Sequence, residues 1–236
     1  MTIASIGGTV ALVAHAVVLH AMILAPAGFT LSLGNAASYI GLLLALTGLV
    51  IAFEPALRGL ASGLLLLAAA AAALTGWPAV SPTGVVLSWQ LQTHVLVSLF
   101  AYGLLTVGAI VAVFALVQDS RLHAGKLSPV NQLFAPLETN EKLLYGIATG
   151  GFLALLLAVF SGFLFVDDLL AQHLSHKTSL SLLALLLFGI LLGGRWFAGW
   201  RGRRAVYLYL WGFAMLGLAY FGSRFILEQI LGRNWG

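Results

Sequence analysis

Residues 143–166, LLYGIATGGFLALLLAVFSGFLFV, decide the fold class of this chain. These 24 residues contain no charged side chain, and they lie between the charged pairs Glu141-Lys142 and Asp167-Asp168. The hydrocarbon core of a bilayer is about 30 Å thick, and roughly 20 apolar residues in a helix cross it. The run is continuously apolar rather than alternating, which argues against a barrel strand. The stretch therefore predicts a transmembrane helix.

The rest of the chain repeats this pattern. Charged residues are also absent from 1–53, 59–118, 178–194 and 205–223. The first two of these stretches are long enough for two helices each, and turn-forming residues divide both of them. We predict an all-α bundle of seven transmembrane helices that forms a single membrane domain, residues 1–236. The predicted spans are 3–24, 34–53, 57–75, 90–117, 143–166, 178–194 and 205–227.

The composition excludes several classes of protein. Eleven basic and seven acidic residues make up only 8% of the chain, whereas 61% is hydrophobic. An average soluble domain carries about 25% charged residues. A soluble enzyme and a nucleic-acid-binding module are therefore excluded, and the bilayer is the expected surrounding. The chain has no cysteine, so disulfides, thiolate metal sites and covalent attachment of haem through a Cys-x-x-Cys-His motif are excluded too.

The basic residues predict the orientation. Seven spans place three of them, Lys177, Arg224 and Arg233, at one face of the membrane. The other eight lie at the opposite face: Arg58, Arg121, Lys126, Lys142, Arg195, Arg201, Arg203 and Arg204. Cytoplasmic loops carry the excess of Lys and Arg. We therefore expect a cytoplasmic N-terminus and an outer C-terminus.

Histidines are the chemically distinctive residues. One of the six, His123, falls in the basic loop and is expected to be solvated. The other five lie in or beside the spans, most of them near the outer face: His15, His20, His94, His173 and His176. Imidazole is the least costly ionisable group inside a bilayer and the commonest axial ligand of haem iron. The pattern suits a haem held between two imidazoles, and it suits histidines that only hydrogen-bond between helices.

Other residues could complete such a site. Arg224 lies near the outer end of the last span, where it could hold a propionate or simply extend to the interface. Aromatic residues could wall a porphyrin or form an ordinary interfacial belt: they are Trp77, Trp89, Phe100, Tyr102, Phe163 and Phe165. No phosphate loop, zinc-protease motif or nucleophile elbow is present. We therefore do not expect an enzyme.

Three segments carry a resemblance to a known family. They are WQLQTHVLVSLFAYG at 89–103, LETNEKLLYGIATGGF at 137–152 followed by Ser161-Gly162, and the run from His176-Lys177-Thr178 through GWRGRR at 199–204 to AYFGSR at 219–224. They resemble the YpjD-like inner-membrane proteins, which belong with CcsA, CcmC and HemX to the cytochrome c assembly superfamily. The resemblance covers about 5–228 and is most specific in the second half. Such relatives usually have eight spans, and this chain matches from the second.

The resemblance implies a bacterial inner-membrane bundle that binds or passes haem b near the outer face. The histidine matching His94 is an outer haem ligand in CcsA-type relatives. Their second outer ligand follows the last helix, where this chain has no histidine, and their Trp-rich motif is replaced here by residues 169–176. His176 or His173 is expected to act instead, and His15 matches a histidine of its helix in relatives.

Two further functions remain as alternatives to haem handling. One is an accessory or regulatory protein that acts through a membrane partner, for instance in cytochrome c biogenesis. The other is a small-solute transporter without haem. A polar pathway through the spans would indicate a transporter, and intramembrane charges are nearly absent here.

Overall fold

A computed structural model of the chain describes residues 2–25, 28–29, 31–77, 87–124, 136–165 and 172–222. Within these residues the fold is all-α, and seven helices are long and apolar enough to cross a membrane. Both the predicted fold class and the predicted number of spans are confirmed. The helices are α1 Thr2–Ile23, α2 Leu33–Ile51, α3 Arg58–Ala72, α4 Trp89–His123, α5 Leu137–Phe165, α6 Gln172–Ala198 and α7 Arg203–Gly217. The third and the seventh reach spanning length together with an adjoining turn, as Pro55–Ala72 and Arg203–Gly222.

Short elements complete the described fold. A two-residue antiparallel pair joins α1 to α2, with β1 at Leu24–Ala25 and β2 at Gly28–Phe29. A 3₁₀ turn at Pro55–Leu57 precedes α3, and a π-helical turn at Leu218–Gly222 follows α7. Proline at the first position of the 3₁₀ turn suits it, because the missing N–H would have no partner there.

Three helices are longer than the predicted spans. The α4 helix runs to His123 rather than 117, α5 begins at Leu137 rather than 143, and α6 is Gln172–Ala198 rather than 178–194. The sequence prediction stopped each span at the nearest charged residue. At one end of the bundle, charged residues continue the helices and pair with one another, as Arg195 does with Glu141 at 2.9 Å.

The two ends of the bundle differ in chemistry. We call the end that carries the charged pairs Arg195–Glu141 and Arg203–Asp119 the arginine side. We call the opposite end, where α4 begins and α5 finishes, the histidine side. This end holds His94, and the described cavity that contains it lies between α4, α5, α6 and the π turn.

The core is centred on α4. Buried side chains from α2 to α7 form one apolar cluster, with α4 contributing many of its members. Tyr209 of α7 is fully buried there: its ring packs edge-on against Phe188 with centroids 5.1 Å apart, and its hydroxyl donates to the backbone oxygen of Leu105 at 3.1 Å. Gly108 faces this phenol, and a side chain there would collide with it. The interior of the bundle is thus held by packing and by satisfied hydroxyl groups.

The α1 helix lies at the edge of the bundle. It packs mainly on α2, and the apolar side chains of Ile6, Val10 and Val17 are exposed. Exposed apolar residues of this kind are what a lipid-facing helix surface requires. Only Leu19 and Ile23 of this helix are buried among the described side chains, and they form a small cluster with Val95 of α4.

Candidate functional site

The site is built around His94, in the second turn of α4. Ser88 caps this helix, since its side chain accepts a hydrogen bond from the backbone N–H of Leu91. His94 extends to α5, where its Nδ1 lies 2.9 Å from the Oγ of Ser161. The contact joins two helices through residues 67 positions apart in the chain.

Ser161 determines which ring nitrogen of His94 carries the proton. Ser161 Oγ donates its single proton to the backbone oxygen of Ala158, 2.9 Å away. It therefore accepts from His94, and Nδ1 bears the proton of the neutral imidazole. Nε2 keeps a lone pair, and no described residue hydrogen-bonds to it. Metal-ligating histidines typically have this arrangement, with one ring N–H held by a neighbour and the other nitrogen open.

Gly162 gives the imidazole its room. A Cβ atom at this position would lie 3.1 Å from Cε1 of His94 and 3.9 Å from its Nε2. The shorter of these distances is tighter than ordinary van der Waals contact. The absence of a side chain therefore lets the ring lie directly against α5.

A cavity of about 160 Å³ adjoins the His94 ring. Its apolar lining includes Leu99, Leu155 and Phe163, and its polar lining includes Ser98, Thr178 and Ser181. Lys177 is the one charged residue among the described residues that line it. A mainly apolar cavity with a few polar groups on one side is the usual form of a small-molecule site.

Two tyrosines form the wall of the cavity toward α7. Tyr102 is buried, and its hydroxyl donates to the backbone oxygen of Leu216 at 2.9 Å. Tyr220 belongs to the π turn, and its ring lies 5.7 Å from that of Tyr102. Lys177 Nζ lies 5.3 Å from the Tyr220 ring centroid, within cation–π range. The π turn thus brings an aromatic ring and an ammonium group together, and such turns are frequent at functional sites.

His15 takes part in a separate network. Its Nε2 lies 2.7 Å from Ser38 Oγ, which lies 2.7 Å from Thr75 Oγ1. Thr75 donates to the backbone oxygen of Ala72, so Ser38 donates to Thr75 and His15 donates to Ser38. This chain of hydrogen bonds links α1, α2 and the end of α3. His15 and His94 do not line the same described cavity.

The remaining predicted residues are dispersed. His20 and His176 are exposed, and His176 directly precedes Lys177 in α6. His173 belongs to the first turn of α6, and its side chain lies outside the described part, as does Arg224 entirely. The exposed His123 lies on the arginine side, 3.4 Å from Asp119.

The predicted aromatic wall divides into two groups. Tyr102 and Phe163 line the cavity. Trp77, Trp89 and Phe100 are exposed large side chains outside it, which suits an interfacial belt.

Ser161 and Tyr220 were not singled out by the sequence as functional residues, nor was Lys177. A hydroxyl within an apolar run is a weak signal, and nothing local connects Ser161 with a histidine on another helix. Within the described residues, no three His, Asp or Glu side chains come together as a chelating metal site. The metal chemistry open to this cavity is that of one imidazole with an open nitrogen.

Comparisons with known proteins show which family the chain resembles. The profile of the family described as "Cytochrome C assembly protein" matches residues 4–231. The protein named "Inner membrane protein YpjD" from Escherichia coli K12 is 32% identical, over 97% of this chain and 87% of that protein. The protein of the same name from Escherichia coli O157:H7 gives the same values.

A more distant relative matches part of the chain. A protein from Azospirillum brasilense, described as an uncharacterized 28.8 kDa protein in the nifR3-like 5' region, is 29% identical over 60% of this chain and 53% of its own length. No solved structure matches the chain.

Proposed function

The chain belongs to the cytochrome c assembly protein family, and on that premise we propose that it binds haem b without covalent attachment in the cavity beside His94. The observation that carries the proposal is the open Nε2 of His94. The other ring nitrogen, Nδ1, donates its proton to Ser161. The absence of cysteine fits non-covalent binding, because no thioether to the chain can form. Bound haem would supply a redox-active iron and a strong optical spectrum.

The chemistry of the lining residues suits such a group. Tyr102 and Phe163 offer aromatic walls, and Gly162 keeps α5 close to the imidazole. The volume of the cavity, about 160 Å³, is small. Common ligand sites have volumes of about 300–1,000 Å³. Its lipid-facing wall contains Phe163 and Leu182, which are 56% and 40% exposed. A porphyrin would enter by displacing these side chains toward the lipid.

We assign the second iron ligand to His176. It precedes the cavity-lining Lys177 on α6, and its exposed ring forms no hydrogen bond with the described residues. Ligation would require its side chain to turn toward the cavity. His173, one turn earlier in α6, is the other candidate, and Arg224 would hold a propionate.

We place the protein in a bacterial inner membrane with the arginine side in the cytoplasm. The relative from Escherichia coli is named an inner membrane protein, and seven of the eight basic residues that the structure describes belong to the arginine side. The N-terminus would then be cytoplasmic and the C-terminus periplasmic. In this orientation the cavity lies near the outer face, where the protein would hold or pass haem during cytochrome c biogenesis.

The test is the optical spectrum of the detergent-purified chain, oxidised and then reduced with dithionite. We expect a Soret band with sharp reduced α and β bands, and loss of most of the haem in His94→Ala. His20→Ala is the matched control, because His20 is an exposed histidine at the same end of the bundle.

Stoichiometric haem in His94→Ala would contradict the assignment of His94. A wild-type spectrum that stays featureless after haemin titration would overturn haem binding altogether. Two functions would then remain: an accessory protein that acts through a partner, and a transporter without haem.

A further inference from the structure

We propose that Lys177 is the residue that recognises the acidic end of the ligand, so that the cavity selects a porphyrin with a free carboxylate over a neutral one. The inference rests on the proposed function, since it names the part of the haem that this residue contacts. Lys177 would then determine which porphyrins the cavity binds.

The position of Lys177 supports this role. Its side chain lines the cavity from α6, while Ser161 holds the His94 ring from α5. Nζ lies against the Tyr220 ring at 5.3 Å, so the ammonium is held at the cavity wall. A lysine stem can lie along apolar surface while its ammonium stays at the polar end.

The cavity changes in polarity along α4. His94, Ser98 and Tyr102 follow one another at four-residue intervals, about 6 Å apart along the helix axis. Lys177 and Thr178 come from the first turns of α6, at the histidine side. Leu99 and Leu155 lie farther along their helices from that end, and both are buried. An amphipathic ligand would therefore place its ring toward the leucines and its acid toward Lys177.

Two hydroxyl groups that α4 contributes to the lining are already engaged. Tyr102 donates its proton to the oxygen of Leu216, and Ser98 donates to the backbone oxygen of His94 at 2.7 Å. Neither proton is available to a carboxylate without breaking a bond inside the bundle. The ammonium group carries three protons and is the described lining group that offers both positive charge and hydrogen-bond donors.

The experiment compares haemin with haemin dimethyl ester. Both are titrated into the purified full chain in detergent and followed by the Soret band. We expect the wild type to bind the free acid about tenfold more tightly than the ester, as one charge-assisted hydrogen bond allows. In Lys177→Met the two affinities should become nearly equal. In Lys177→Arg most of the preference for the free acid should remain.

Lys142→Met is the matched control, because Lys142 is exposed on the arginine side and pairs with Glu138 within one helix turn. The ratio of its affinity for haemin to its affinity for haemin dimethyl ester should equal that of the wild type. Elution of each variant as a single species from a sizing column confirms folding, and Lys177→Arg tests the idea if the methionine variant fails to fold.

The outcomes separate the two proposals. Equal wild-type affinity for acid and ester, or an unchanged ratio in Lys177→Met, would overturn the role of Lys177 and leave haem binding standing. Failure of the wild type to bind either compound would overturn the proposed function, and this inference with it.

Discussion

The hydrogen bond between His94 and Ser161 determines the chemistry of the site at the scale of single residues. Ser161 accepts from Nδ1 because its own proton is used by Ala158. Nε2 is left without a proton as a consequence of this hydrogen bond. The open ring nitrogen of His94 is therefore a property of the pair.

Ser161→Ala should weaken haem binding while His94 stays in place. Loss of the group that orients a ligating histidine typically costs about 10–100-fold in metal affinity. Haemin titration of the purified variant measures the effect. Thr149→Ala is the control, since Thr149 of the same helix donates to the carbonyl of Tyr145 one turn back and does not line the cavity. Equal affinity in Ser161→Ala and Thr149→Ala would show that Ser161 does not orient the ring.

Gly162→Ala should also lower haem occupancy, through a steric effect. The added methyl would lie 3.1 Å from His94 Cε1 and would push the imidazole away from α5. The matched control is Gly146→Ala on the same helix, where a Cβ meets nothing within 4 Å. The haem-to-protein ratio after purification is the measurement. If both variants keep full occupancy, the close approach at Gly162 is not needed for binding.

At the scale of helices, α1 depends on the network of His15, Ser38 and Thr75. The α1 helix has few buried side chains, so a polar link carries more of its attachment than in the other helices. In this network two hydroxyl groups and one neutral imidazole are joined by hydrogen bonds. The geometry favours a role for His15 in holding the helices together.

His15→Ala should lower the thermal stability of the purified protein and leave its haem spectrum unchanged. One such interhelical hydrogen bond contributes about 0.6–2 kcal/mol. Thermal unfolding followed by the loss of monodisperse protein measures this, with His20→Ala on the same helix as the control. A changed haem spectrum would instead indicate His15 as an iron ligand.

The helices could be predicted from the sequence, whereas their ends could not. Apolar runs such as 143–166 indicate spans because lipid tolerates few charges. The same rule placed the beginning of α5 too late, at 143 rather than at Leu137, since Glu141 lies inside the helix and pairs with Arg195. That pairing joins residues 54 positions apart, and no local pattern contains it.

At the scale of the whole molecule, the packing of four helices assembles the cavity. The sequence singled out His94 by its residue type and place in a span. Ser161, Lys177 and Tyr220 reach it only through the packing of α5, α6 and the π turn against α4. Trp77 and Trp89 have equally suitable chemistry but lie outside the cavity. Residue type therefore indicated His94 as a candidate, and tertiary contacts show which residues surround it.

The lack of cysteine allows a direct test of the orientation. Single cysteines at Phe197 and Trp89, which are 92% and 70% exposed, mark the arginine side and the histidine side. In intact spheroplasts, an impermeant maleimide should label Trp89→Cys and spare Phe197→Cys. After the membrane is permeabilised, both should react. The reverse pattern would place the arginine side outside.

The central claim is that Nε2 of His94 binds haem iron, and imidazole rescue of His94→Gly tests it most directly. Deleting the side chain leaves a space beside Gly162 that free imidazole can fill. The measurement is the Soret band of the variant titrated with haemin, with and without millimolar imidazole. Iron ligation by His94 predicts weak binding without imidazole and a restored six-coordinate spectrum with it. Full haem binding by His94→Gly in the absence of imidazole would contradict it.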